Sequence, residues 1–369
     1  MVNPTSSSRL EAAAMATHCL IPGFPDELSL LCLARISLAL HPVASCVSRA
    51  WRDALKSSVL YDLRERVGLQ EHRIFIFAPS KRGLLSRKLT QFYLIDAILL
   101  KCRPLPPPPF LGGYPHRFYC DVISLGRQVS VVRMCCGPFS DCPEDVFCFD
   151  VVCGVWCMPP PSMLERRTSF ASACVDGYVY AAGGNAGRDC VNLQSAERFN
   201  LLNKQWEKIA DMKNERYAAA GVALNGSFCV LGGFQTTREG VLTMYDSAEV
   251  WDPSKEEWKF MPTMWRNDMR GVAAVKGKLY GIRYCRGKEM VWYNEDQNQW
   301  LRLGSLPETL QGNIEDNLIG VGDHVWMIVE DANPKCSFFS TNPEKLPLSW
   351  TPLPCLFENY PSNFCVVTL

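Results

Sequence analysis

The chain has 369 residues, 47% of them hydrophobic, with 38 Lys plus Arg against 38 Asp plus Glu. That length and apolar content can bury a large core, and the balanced charge offers no global field to nucleic acid or to an anionic membrane. The sequence lacks a run of about 18 apolar residues and a charged-then-apolar leader, so it reads as soluble, cytoplasmic and/or nuclear, without a membrane partner.

Residues 1–19 are polar, small and without period, and are expected to be disordered. A first helix is expected from Pro25, with Asp26 and Glu27 in its first turn and Leu28, Leu31, Cys32 and Ile36 on one face. A second is expected after Pro42, where Val43, Cys46, Val47, Ala50, Trp51, Ala54 and Leu55 recur at three- and four-residue steps. The third starts at a Ser57–Ser58 cap, runs through Val59, Leu60, Leu63 and Val67, and stops at Gly68. Three helices over residues 20–68 make a small domain that leans on a partner or caps the rest of the chain.

From residue 73 the pattern turns strand-like. RIFIFA (73–78) and FYLIDAILLKCRPLPPPP (92–109) read as a second strand and an outer hairpin without a first strand, and residues 117–158 read as four strands. ASACVDGYVYAAGG (171–184), AAGVALNGSFCVLGG (219–233) and VAAVKGKLYGI (272–282) are each two strands joined at Asp-Gly, Asn-Gly or Lys-Gly. Each is followed by a second hairpin whose polar turn precedes a tryptophan; Trp156, Trp206, Trp258, Trp300 and Trp350 mark a period of about 40 to 50 residues, the signature of a repeat array. Residues 314–353 supply a further blade. The C-terminal NFCVVTL (363–369) supplies the first strand that 73–78 lacks, so the expectation is a mainly β chain: a six-bladed propeller over 69–369, closed by its last strand.

Eighteen cysteines are scattered along predicted strands and read as reduced apolar fillers. Cys142, Cys148, Cys153 and Cys157 lack the paired Cys-x-x-Cys spacing of structural zinc sites, and the five histidines (18, 41, 72, 116, 324) are dispersed. No cofactor and no metal are expected.

Leu20 to Leu55 resembles an F-box of the plant F-box/kelch-repeat family. Phe24-Pro25-Asp26-Glu27-Leu28 stands at the family's Leu-Pro-x-Glu-Leu opening, Cys32-Leu33-Ala34-Arg35 at its Cys-Leu-Ala-Arg, and Val47-Ser48-Arg49-Ala50-Trp51-Arg52 at its Val-Cys-x-x-Trp-Arg. The diglycines Gly183-Gly184 and Gly232-Gly233, with Glu197 or Glu249 and then tryptophan, resemble the kelch repeat. The resemblance implies a kelch-type propeller behind a three-helix F-box, and a non-catalytic substrate-recognition subunit of an SCF-type cullin-RING ubiquitin ligase. Its implied partners are a Skp-type adaptor, a cullin reached through it, and an unknown protein substrate. The implied adaptor contacts are Phe24, Pro25, Leu28, Leu31, Leu33, Val47 and Trp51, several of which must also build the bundle.

For substrate, blade connectivity puts the second-to-third-strand loops, 185–194 and 234–246, on one face with the interblade connections. Arg167 and Arg216 share a register entering that face, and Arg188 and Arg238 lie in the long loops, an arrangement able to hold an acidic or phosphorylated segment. The same arginines could instead pair with Asp189, Glu215 or Glu239. Tyr217, Phe234, Met244 and Tyr245 are apolar anchors for a peptide or packing inside the ring. An interaction scaffold outside a ligase and a propeller enzyme are the competing classes.

Overall fold

The computed structural model describes residues 20–78, 91–108, 119–134, 146–158, 160–187, 190–237, 239–261, 269–284, 287–310, 318–330, 336–357 and 363–369. The expected disorder of 1–19 lies outside them, as do His18, His116, Cys142, Arg188 and Arg238. Two compact units emerge, Met1–Glu71 with Thr368–Leu369, and His72–Val367.

In the first unit, helices Asp26–Ala34, His41–Ala44, Arg49–Lys56 and Ser58–Arg66 are joined by a 3-10 turn, Leu38–Leu40. The expected second helix is therefore two. Ser48 is extended, with φ −157°, and its hydroxyl accepts the Trp51 N–H, so it caps a new helix rather than continuing the old one. The break resets the helical register and leaves Val43, Cys46 and Val47 outside, although the expected single helix put them on one apolar face with the buried Ala54 and Leu55. The first helix is likewise turned from its expected face: it buries Ser29, Leu33 and Ala34 and exposes Leu28 and Cys32. Ser29 tolerates burial because its hydroxyl donates to the Pro25 carbonyl at 3.0 Å. The third expected helix starts at Ser57, whose hydroxyl accepts the Leu60 N–H, and it ends before Gly68 at φ +68°.

The bundle is locked by a buried ion pair. Arg64 caps the end of the first helix, donating to the carbonyls of Ala34 (2.6 Å) and Ile36 (2.8 Å), and meets Glu71 at 2.9 Å. The Glu71 carboxylate also accepts the Leu38 N–H and the Ser37 hydroxyl, while its backbone pairs with Leu369 in both directions, at 2.7 and 2.9 Å. The C-terminal residue thus completes this unit's edge.

The second unit is a six-bladed β-propeller, with six four-stranded sheets as expected. In the first blade, Asn363–Thr368 lies beside His72–Ala78, followed by Gln91–Asp96 and Lys101–Pro104, so the first and last described strands close the ring. First strands of successive blades meet from the second blade to the sixth, and apolar clusters fill the wedges between neighbours. Ile74, Ile76 and Ile95 of blade 1 pack with Trp326, Ile328 and Phe338 of blade 6; Tyr180 and Ala182 of blade 3 pack with Phe228 and Trp251 of blade 4.

Two recurrent turns build the blades. Inner hairpins turn at Asp176-Gly177, Asn225-Gly226 and Lys276-Gly277, each with both residues at positive φ, as expected of a type I′ turn. Outer hairpins open with an Asp or Asn whose side-chain oxygen accepts N–H groups two or three residues on: Asp96, Asp150, Asn200, Asp252, Asn294 and Asn342. This turn recurs in all six blades, including those without a diglycine. Near the axis, Asp121 of blade 2 accepts the Ser169 N–H (2.9 Å) and the Asn363 amide (3.1 Å), tying blade 2 to the connector of blade 3 and the first strand of blade 1. Burial pushes its carboxyl up to about 6, against the lowering effect of those two bonds.

Candidate partner-binding surfaces

The helical unit exposes apolar side chains that its own core does not use. Phe24 is 51% exposed, Leu28 48% and Val47 63%, with Leu40 and Val43 exposed as well. Pro25 is exposed, and Leu31 is half-buried. Leu33 is a correction to the expected adaptor contacts: it is fully buried, packed with Leu55 and Leu60 because the first helix turns its Ser29–Leu33 side inward. Trp51 is half-buried against the same cluster, and its indole N–H donates to the Leu20 carbonyl at 2.7 Å, a packing role. Leu40 and Val43 were missed as surface residues. The signal was Ser48, a helix-capping residue placed just before the Arg49–Lys56 helix.

In the propeller, Arg167 and Arg216 are 1% and 0% exposed, not at the mouth of the ring. Arg167 donates to the Gly183 and Ser195 carbonyls, at 2.8 and 2.9 Å, and to Glu197 at 2.9 Å. Arg216 repeats the arrangement with Gly232 (2.9 Å), Ser247 (3.2 Å) and Glu249 (2.9 Å). Each glutamate also accepts two backbone N–H groups of the connector: Leu164 and Glu165 on Glu197, Lys213 and Asn214 on Glu249. With each cation bonded to a buried carboxylate and to two backbone carbonyls, the pair is a latch between connector and blade rather than a surface charge. Of the carboxylates offered as alternatives, Glu215 and Glu239 are not these partners, and Asp189 lies outside the described residues. The sequence signal was the glutamate in the third strand of both repeats, 30 residues after Arg167 and 33 after Arg216.

The diglycine serves the same junction. A Cβ on Gly183, at φ +66°, would lie 2.3 Å from the Arg216 carbonyl oxygen, so that residue stays glycine for the next connector to pass. Tryptophans complete it: the Trp156, Trp206 and Trp258 indoles donate to the carbonyls of Pro106, Pro161 and Ala210 in the connector entering their own blade.

The two loops expected to be irregular are two-stranded ribbons: Asn185–Ala186 with Val191–Asn192, and Phe234–Thr236 with Leu242–Met244. The second gathers the expected anchors. Tyr217 and Phe234 exchange backbone hydrogen bonds at 2.9 and 2.8 Å and set their rings 5.9 Å apart; Met244 stands opposite Phe234. Tyr245 donates its hydroxyl to Gln235 and lies over the Arg216 guanidinium at 4.5 Å. Tyr217, Phe234 and Tyr245 are therefore together and partly exposed, whereas Arg188 and Arg238 are outside the described residues.

Blade order, latch and helical unit together define a class: an F-box domain followed by a kelch-type propeller. The F-box domain family matches residues 21–63 and the Kelch motif residues 166–213, a span running from the Arg167 connector through Gly183-Gly184, Glu197 and Trp206. Within that class the chain is similar to F-box/kelch-repeat proteins of Arabidopsis thaliana. One is 28% identical over 80% of this chain and 76% of its own length; SKIP4 is 23% identical over 85% and 83%; a third is 24% identical over 88% and 82%. Domain content of this kind supports a substrate-receptor role in SCF ubiquitin ligases in general.

Proposed function

We propose that this chain is the substrate-recognition subunit of an SCF-type cullin-RING ubiquitin ligase. Its helical unit binds a Skp-type adaptor, and through it a cullin; its propeller binds the protein to be ubiquitylated. The observation that carries the reading is the set of apolar side chains that the helical unit leaves outside, Phe24, Leu28, Leu40, Val43 and Val47, although the unit is small and needs apolar residues inside. In this role the chain makes and breaks no bond; it raises the local concentration of substrate beside a ubiquitin-charged enzyme, in the cytoplasm or nucleus.

Co-purification of the full chain with a Skp-type adaptor tests the proposal. The Leu28→Asp, Val47→Asp double variant is expected to weaken binding by about 100-fold or more while leaving the melting profile unchanged, because both side chains are exposed. A folded wild-type chain that binds no adaptor would leave an interaction scaffold in place of a ligase receptor.

A further inference from the structure

The Leu242–Met244 strand has one edge bound and, among the described residues, one edge open. Tyr217 and Phe234 exchange hydrogen bonds across the outer side of the Phe234–Thr236 strand, and the Thr236 carbonyl on that side accepts the Asn192 amide at 2.6 Å. Backbone hydrogen bonds alternate sides along a strand, so the inner pairs are Gly233 with Tyr245, Gln235 with Thr243 and Thr237 with Val241; the Tyr245 N–H to Gly233 and Thr237 N–H to Val241 bonds are both formed. The N–H and C=O groups of Leu242 and Met244 therefore face away from the ribbon. Among the described residues nothing bonds to them, and both side chains are exposed, at 56% and 44%.

An open edge of this kind is a template for another strand. The side chains crossing the ribbon say what that strand carries. Tyr217, Phe234 and Met244 form one apolar row perpendicular to the strands, and Leu242 lies on the same face as Met244 two residues away. Among the described residues the row ends at Met244, so the next position belongs to whatever pairs with the edge. Charge marks one end of the edge: two residues past Met244 stands the exposed carboxylate of Asp246.

We infer that this edge takes an extended segment of the substrate protein as an added β-strand, with apolar side chains at alternate positions beside Met244 and Leu242 and a basic residue at the Met244 end. The inference rests on the substrate-receptor reading and gives its propeller surface a recognition mode.

The test is selection of displayed linear peptides on the full chain, followed by synthesis of an enriched peptide with single backbone N-methyl groups walked along it. Expected is an apolar-x-apolar pattern next to Lys or Arg, with tenfold or greater weakening when every second amide is methylated and little change at the amides between. Leu242→Pro and Met244→Pro each delete one outward N–H that the ribbon does not use, and are expected to reduce binding tenfold or more. Hydrogen exchange at Thr237 and Tyr245 shows that the ribbon persists in these variants. No enriched peptide, an effect of methylation without the two-residue period, or full binding by Leu242→Pro in an intact ribbon overturns the inference. Adaptor co-purification is read separately, so loss of the ligase reading and loss of the edge mode are distinguishable.

Discussion

In the helical unit Phe24, Leu28 and Val47 stand in solvent while Arg64 lies inside; in blades 3 and 4 Arg167 and Arg216 lie inside while Leu242 and Met244 stand in solvent. Both regions bury an arginine that ends on a glutamate and on backbone carbonyls, and both put aliphatic side chains outside. The difference lies in repetition. Arg64 occurs once and holds one small bundle, whereas Arg167 and Arg216 recur at the same place in consecutive blades. A residue that returns in consecutive repeats meets a need that those repeats share, which is joining a neighbour; a partner is told apart by what differs between repeats, and here that is the ribbons.

The largest effect is expected where that comparison is broken from inside. Arg216→Ala leaves Glu249 buried without its cation and should cost about 3–5 kcal/mol in chemical denaturation. Arg64→Ala is expected to cost a similar amount but to be read differently, as lost adaptor binding alongside a lowered melting temperature. Next is Asp121. Its folded-state carboxyl titrates near 6 against the ordinary 3.8, so its contribution is fully present below about pH 4 and is lost as pH rises through 6. Asp121→Asn keeps an oxygen for the Ser169 N–H and should gain up to about 3 kcal/mol near pH 7, with no difference from wild type near pH 3.5; unfolding curves across that range check it. The smallest effect is expected at Trp206→Phe, which removes the bond to Pro161 at a partly exposed site and should cost about 1 kcal/mol.

Much of the ring was legible because its turns are local. Asp176-Gly177 and Asn225-Gly226 announce hairpins in two residues, and the unmatched strand at 73–78 called for the one at 363–369. The arginines were misread because their partners are some thirty residues away in sequence, and strand periodicity says which face a residue takes but not what waits there. The helical unit failed in the opposite way. Val43 follows a helical period across a break that only Ser48 marks, so continuity gave one helix where there are two. In the first helix a serine that satisfies itself on Pro25 sits inside with Leu33, which the resemblance had implied as an adaptor contact.

One stretch of chain finishes two structures. Asn363–Thr368 is the missing first strand of blade 1, and Leu369 pairs with Glu71 at the edge of the helical unit. During synthesis the ribosome delivers the helices first and this stretch after every other described residue, so until then the helical unit lacks its last backbone pair and the ring has an open strand at His72–Ala78. Ring closure is the most non-local contact in the chain and is expected to be late in folding. A nascent chain stalled before residue 363 would therefore present an unpaired apolar strand, Ile74 to Phe77, to chaperones and proteases.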